Sequence, residues 1–162
     1  MTPEQFNKHL AQMKMKISKA ISSDIPKLAG NEAARLFRKN FQEEGFFGKR
    51  WKDVNRRRVV SVKTKSRKIK YRTRAKGADG RRKILTGRTA NLGRSIKVKV
   101  RVGGATVYSD LPYSAAHNEG TNNAGRGHNT KIPKRQFIGK QKVLDKAIKD
   151  KIETALNKIF NT

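Results

Sequence analysis

Residues 96–109 read IKVKVRVGGATVYS. Ile96, Val98, Val100 and Val102 alternate with Lys97, Lys99 and Arg101. A period of two puts the apolar residues on one face of a strand and the cations on the other. Gly103–Gly104 is a two-residue hairpin signal, so Ala105–Ser109 is expected to return antiparallel. A hairpin with one apolar face needs a second layer to cover it, and the flanking sequence has to supply that layer.

Helices are expected on both flanks. Phe6, Leu10, Met13, Ile17 and Ile21 recur at three- and four-residue steps, which predicts a packed surface helix over 3–21 with lysines on its other faces. Ser22–Ser23–Asp24 interrupts it, and Asp24 with Pro26 forms a cap and first-turn pair for a second helix that runs to about Phe41. Leu28, Ala29, Ala33, Leu36, Phe37 and Phe41 form its stripe, its small residues allow close approach, and Gly45 is a stop signal. Near the other end, Val143, Leu144, Ala147, Ile148, Ile152, Ala155, Leu156, Ile159 and Phe160 mark a helix over 140–160. Its stripe is wide enough for burial against a sheet or other helices, and it leaves room for a subunit contact.

Shorter signals fill the remainder. ILTGRTANLGRSI (84–96) reads as a turn at Thr86–Gly87 followed by a short helical segment with Leu92 and Ile96 inward. YSAAHNEG (113–120) predicts a short helix closing at Gly120. Residues 121–130 are a loop by composition, and IPKRQFIG (132–139) is an extended segment pinned by Pro133. GFFGKRW (45–51) sets Phe46, Phe47 and Trp51 as anchors of a loop. The expected fold class is α+β: a small antiparallel β-sheet with an N-terminal helical pair and a long C-terminal helix, in a single domain over 1–162.

One stretch departs from this scaffold. Residues 51–83 hold fifteen Lys or Arg and two acids, Asp53 and Asp79, within a protein of net charge +28. Residues 51–102 carry twenty cations against two acids. Such a load repels itself until a partner neutralises it, so residues 52–83 are expected to form a basic arm or long loop inserted in the domain. Val59–Lys65 and Lys68–Arg74 have β-type composition, and two short strands or an extended arm both fit. AKGADGRR (75–82) is a Gly-rich turn region. Arg56, Arg57, Arg58, Lys63, Lys65, Arg67, Lys68, Lys70, Arg72 and Arg74 are the candidate contacts to a nucleic acid or an acidic partner. Without a helix-turn-helix, zinc-finger or RNA-binding sheet motif, a sequence-specific reader is not expected.

Signals for chemistry are weak. Asp110, Ser114 and His117 lie within eight residues, but a triad is assembled by the fold rather than by proximity, and no nucleophile-elbow pattern surrounds Ser114. His9, His117 and His128 are scattered without ligand spacing, and there is no cysteine. GRGHNT (125–130) follows no evident strand and reads as a flexible loop, not a phosphate cradle. No enzyme, metal or cofactor is expected. No apolar run reads as a signal peptide or approaches the roughly 18 residues of a membrane span, so a soluble cytoplasmic setting without membrane contact is expected.

The order of motifs from Phe41 onward resembles the virion-morphogenesis or tail-completion proteins of tailed phages. The matching residues are Leu85–Arg88, Ser95–Ile96, Tyr113, His117, Gly120, Ile132–Pro133, Arg135 and Phe137–Gly139, with Phe41, Glu44–Gly45 and Trp51 upstream. The likeness covers roughly residues 35–160. It departs from the family pattern at Thr89, at Gln136 and in the weight of the basic segment. The resemblance implies a structural virion protein without catalysis, similar to neck and tail-terminator subunits that join head and tail. It implies a homo-oligomeric ring, often hexameric, that meets portal-side, neck or tail-tube proteins around a channel carrying double-stranded DNA, after assembly in the host cytoplasm. Trp51, Gly87, Tyr113, His117, Gly120, Pro133, Phe137 and Gly139 would then shape the fold and its subunit contacts. The rival reading is a free-standing, sequence-neutral nucleic-acid-binding protein. A small nuclease is a third, resting only on the fact that acids distant in sequence can converge.

Overall fold

A computed structural model describes residues 2–63, 69–73 and 78–160. The class is α+β. The antiparallel sheet consists of separate two-stranded ladders, each formed by strands adjacent in sequence. The protein divides into two compact units. One comprises Met1–Phe37, Ile96–Asp110 and Ile138–Thr162, and the other Arg38–Ser95 and Leu111–Phe137.

The first unit starts with α1, Pro3–Lys19. Thr2 and Gln5 cap it reciprocally: the Gln5 amide donates to Thr2 Oγ1 and the Thr2 amide to Gln5 Oε1. The expected break at Ser22–Asp24 is absent. The helix runs on through a π-helical turn, Ala20–Asp24, in which the Ile25 amide donates to the Ala20 carbonyl, into α2, Ile25–Glu43. Pro26 has no amide hydrogen to donate, and a π turn is a place where a helix absorbs such a defect without stopping. The helical pair is therefore joined end to end.

Strands β5, Ile96–Arg101, and β6, Gly104–Ser109, form the expected hairpin with Arg101 opposite Gly104. The turn is Val102–Gly103, one residue earlier than the glycine pair suggested, because Gly103 takes the positive φ of +74°. The apolar face is graded. Ile96 is 1% exposed, and Val102 at the tip is 87% exposed. Gly30 of α2 lets the helix backbone lie on this hairpin: a Cβ there would stand 2.5 Å from Val98 Cγ1 and 2.8 Å from the Ala105 methyl.

Helix α6, Lys142–Phe160, buries Leu144, while Val143 and Phe160 are exposed. Helix α1 buries no residue at all. Phe6 and Leu10 stand about half exposed, which corrects the expectation of a packed surface helix. Periodicity identifies an apolar face but not what covers it.

The second unit is made of short elements around one aromatic cluster. Strands β1, Gly45–Phe46, and β2, Lys49–Arg50, flank Phe47 and Gly48, both at positive φ as a primed hairpin turn requires. Of the three aromatics expected to anchor this loop, Trp51 is buried, whereas Phe46 and Phe47 are half-buried and meet edge to face at 4.9 Å. Phe41 sits between Trp51, at 5.7 Å, and Phe137, at 5.0 Å between ring centroids. Gly93 of α4, Asn91–Arg94, lies against the Phe41 ring, and Leu92 of the same helix is buried as expected.

Strands β3, Val59–Lys63, and β4, Ile69–Thr73, pair antiparallel, which selects two strands over an extended arm. Helix α3, Ala78–Arg81, lies where a Gly-rich turn was expected. Helix α5, Ser114–Glu119, ends at Gly120 as expected. The region expected to be a loop contains a bulged hairpin, β7 Thr121–Ala124 and β8 Thr130–Ile132. Composition identified Asn and Gly as turn formers, but a ladder is made by backbone groups that every one of these residues carries.

Candidate functional site

The basic segment is tied to the second unit at its two ends. Glu44, at the end of α2, accepts two hydrogen bonds from Arg57, at 2.9 and 2.5 Å, and one from the Ile84 amide at 2.6 Å. Arg57 also donates to the Arg82 carbonyl at 2.8 Å. Arg56 donates to the carbonyls of Arg82 and Lys83, and Lys83 donates to that of Gln42. One carboxylate thus joins the short helical turn before β3, the turn after α3 and the end of α2. The bond from Arg57 holds the Glu44 carboxyl below the usual range against its partial burial, with help from the Ile84 amide.

The structure therefore separates the ten cations proposed as partner contacts. The Arg56 and Arg57 side chains are engaged with the protein's own carbonyls and with Glu44. Arg58 is exposed immediately before β3. Lys63, Lys70 and Arg72 take positions in the β3–β4 ladder, where Lys63 stands opposite Ile69, Lys70 opposite Val62 and Arg72 opposite Val60. Lys65, Arg67, Lys68 and Arg74 lie outside the described residues.

The motif residues form a second constellation. Trp51 donates from its ring nitrogen to the Gln136 carbonyl at 2.7 Å, and Phe137 is 1% exposed. Gly120 has a φ of +79°, and a Cβ there would meet the Lys134 amide at 2.7 Å, so this corner requires glycine. Pro133 follows β8 at the start of an irregular run through Phe137, and Gly139 lies in a bend just before α6. Gly87, Tyr113 and His117 line one cleft of about 280 Å³ together with Arg56, Leu92 and Arg135. The rings of Tyr113 and His117 meet edge to face at 6.0 Å.

Two buried polar side chains in this unit had no role assigned from the sequence, although Arg135 was among the motif residues. Asn40 is 2% exposed, donates to the Phe137 carbonyl at 3.1 Å and accepts from the Phe47 amide at 3.2 Å. It links the α2 terminus, the aromatic hairpin and the 133–137 segment. Its only sequence signal is that a polar residue falls on the helical stripe shared by Phe37 and Phe41. Arg135 is 7% exposed and donates to the carbonyls of Lys52 and Asp53. Burial, and then the charge of Arg56, shift its pKa downward. Burial, and then Arg135, do the same for His117.

Among the described residues, no cluster of three His, Asp or Glu groups suits a metal ion, and no helix is long and apolar enough to cross a membrane. The described elements are of the α+β class, and polar side groups such as Asn40 and Arg135 cross-link their loops. The protein belongs to the phage virion morphogenesis family, whose model matches residues 41–157. No curated protein and no solved structure matches it. A structural or assembly role in a phage virion follows, and with it association with the virion. The match spans the basic segment, the cleft and most of α6, and it leaves α1 and most of α2 outside.

Proposed function

We propose that the protein is a non-enzymatic head–tail joining subunit, of the neck or tail-terminator and tail-completion kind, that assembles into a homo-oligomeric ring in the host cytoplasm. Its basic hairpin clamps a negative surface at the joint, either channel DNA or an acidic neighbouring protein. The observation that carries this reading is the anchoring of the basic segment. Residues 51–83 hold fifteen Lys or Arg, and the segment is fixed at its root by Glu44, Arg56 and Arg57. A rigid root is of use when the charge beyond it has to be presented in one place. The half-exposed Phe6 and Leu10 of α1, with Val143 and Phe160 of α6, offer apolar surface for subunit contacts.

Native mass spectrometry of the purified protein, with electron microscopy of intact particles, tests the proposal. The expected outcome is a ring-forming oligomer, free or on tail tubes, positioned between portal and tail. A strict monomer absent from virions overturns it.

The second reading, free sequence-neutral nucleic-acid binding, rests on the same charge. It expects tight binding to any duplex, with affinity falling ~10³–10⁵-fold between low and moderate salt if ~6–10 phosphates are met. The discriminating variant neutralises Arg58, Arg67, Arg72 and Arg74 and spares the structural Arg56 and Arg57. Loss of assembly with duplex binding intact supports the joining role. Loss of duplex binding and of its salt slope, with particles still forming, supports the rival.

A further inference from the structure

The cleft of Arg56, His117 and Arg135 lies outside the β3–β4 hairpin, and the joining role uses only the bonds of Arg56 to the Arg82 and Lys83 carbonyls. Three potentially cationic groups converge there, and no acid is among its described lining residues. Two described carboxylates near it are engaged elsewhere. Glu44 is held by Arg57 and the Ile84 amide, and Asp53, largely exposed, stands 3.7 Å from Arg57. Arg56 Nε and His117 Nδ1 are buried without a hydrogen-bond partner among the described residues. A buried unpaired polar group costs about 1–3 kcal/mol, so a ligand that pairs with either atom relieves that cost.

The shape of the cleft narrows the ligand. Beside the cations stand Val54, Leu85, Leu92 and the Tyr113 ring, with Thr86 and Asn91 as neutral polar neighbours. A space of about 280 Å³ lined by both apolar and cationic side chains suits one planar acid and the methylenes behind it. A carboxylate oxygen accepts readily from a guanidinium N–H that the protein's own carbonyls leave unpaired, such as Arg56 Nε. A nucleic-acid backbone offers a row of phosphates on a broad surface and is better served by exposed cations such as Arg58.

We propose that this cleft binds a single carboxylate of a partner protein, from an Asp or Glu side group or from the carboxy-terminus of that partner, which pairs with Arg56, His117 and Arg135. The bound acid supplies the missing partner for both orphaned nitrogens and favours the charged form of His117. This site is independent of ring formation, so failure of the joining reading leaves it standing, and the reverse is also true.

The test is NMR titration of the full-length protein, following the His117 ring and the amides of residues 85–89. The probes are the blocked peptides Ac-AAEAA-NH2 and Ac-AAQAA-NH2, the free acid Ac-AAAAL-OH, and a 12-base-pair duplex. The Glu peptide or the free acid is expected to shift these signals saturably, at least about tenfold more tightly than the Gln peptide, and to move the His117 titration upward. Whichever acid binds more tightly identifies the source. Arg56→Ala also removes bonds to the Arg82 and Lys83 carbonyls, so the deciding variant is Thr89→Glu, at an exposed residue on the cleft wall. Its built-in carboxylate is expected to raise the His117 titration midpoint and to abolish the peptide response. The proposal is overturned by equal responses to the Glu and Gln peptides, by a response to the duplex alone, or by an unchanged His117 titration in Thr89→Glu.

Discussion

Helix α1 runs for 17 residues and buries none of them, whereas residues 133–137, which form neither helix nor strand, contain the most buried phenylalanine and a buried arginine. Regular structure and burial have separated in this protein. Helix α1 is made by local bonds, the Thr2–Gln5 capping box and its own ladder, and these need no tertiary partner. The 133–137 segment has no ladder. It is held by side groups far away in sequence: Asn40 on the Phe137 carbonyl, Trp51 on that of Gln136, the Asn118 amide oxygen on the Phe137 N–H, and Arg135 reaching back to Lys52. A family match that begins at residue 41 follows the second kind of construction. It includes the cross-linked unit and leaves the self-sufficient helix out.

The contrast can be broken most severely at Phe137. Phe137→Ala is expected to cost about 3–5 kcal/mol, since the ring is enclosed beside Phe41 and a cavity would remain. The single tryptophan, Trp51, lies in the same cluster, so urea unfolding followed by its fluorescence reads the loss directly. Next comes Glu44→Gln, expected to cost about 2 kcal/mol by leaving Arg57 without its charged partner. Its sign with pH follows from the direction of the shift. The folded carboxyl titrates below its unfolded value of 4.5, so its contribution is present above about pH 4.5 and is lost as pH falls through the lower folded value. The variant and the parent should therefore differ in urea midpoint at pH 7 and converge toward acid.

Gly30→Ala tests a place where α2 depends on a neighbour's shape. With Val98 Cγ1 at 2.5 Å from the added methyl, the hairpin has to move, at a cost of about 1–3 kcal/mol, read as faster hydrogen exchange in β5 and β6. The smallest effect is expected from Phe6→Ser with Leu10→Ser. Unfolding of the isolated protein should change by no more than about 0.5 kcal/mol. Under the ring proposal, the same pair should weaken the oligomer measured by native mass spectrometry. An unfolding loss above about 2 kcal/mol would show that α1 is covered within the protomer after all, and would remove it as a candidate subunit surface.

Much of the local architecture was readable from residue patterns. Alternation from Ile96 placed a strand, Leu92 and Ile96 were correctly turned inward, and Gly120 ended its helix. Two of the readings that failed did so because local signals are overridden by the surrounding fold. Ser22–Asp24 and Pro26 carry every sign of a break, yet a π turn carries the helix through. Residues 121–130 have loop composition, yet they contribute to the β7–β8 ladder. The candidate site was legible as charge and as a set of motif residues, but not as geometry. Arg56 and Arg57 were indistinguishable from Arg58 in a basic run. Only Glu44, 13 residues before Arg57, and the Arg82 carbonyl, 25 residues after it, turn the first two into the root of the segment.

By itself, then, the sequence determined what depends on spacing and composition: the α+β class, the faces of the helices, the β5–β6 hairpin, the excess of positive charge and the order of motifs that marks the family. These follow from short-range periodicity and from counting. The tertiary structure alone decided which cations are structural, which polar groups are buried and which motif residues share a cleft. Gly87, Tyr113 and His117 meet Arg56 and Arg135 there because the backbone folds back on itself over tens of residues, and no local pattern encodes which distant carbonyl or carboxylate a given residue will find.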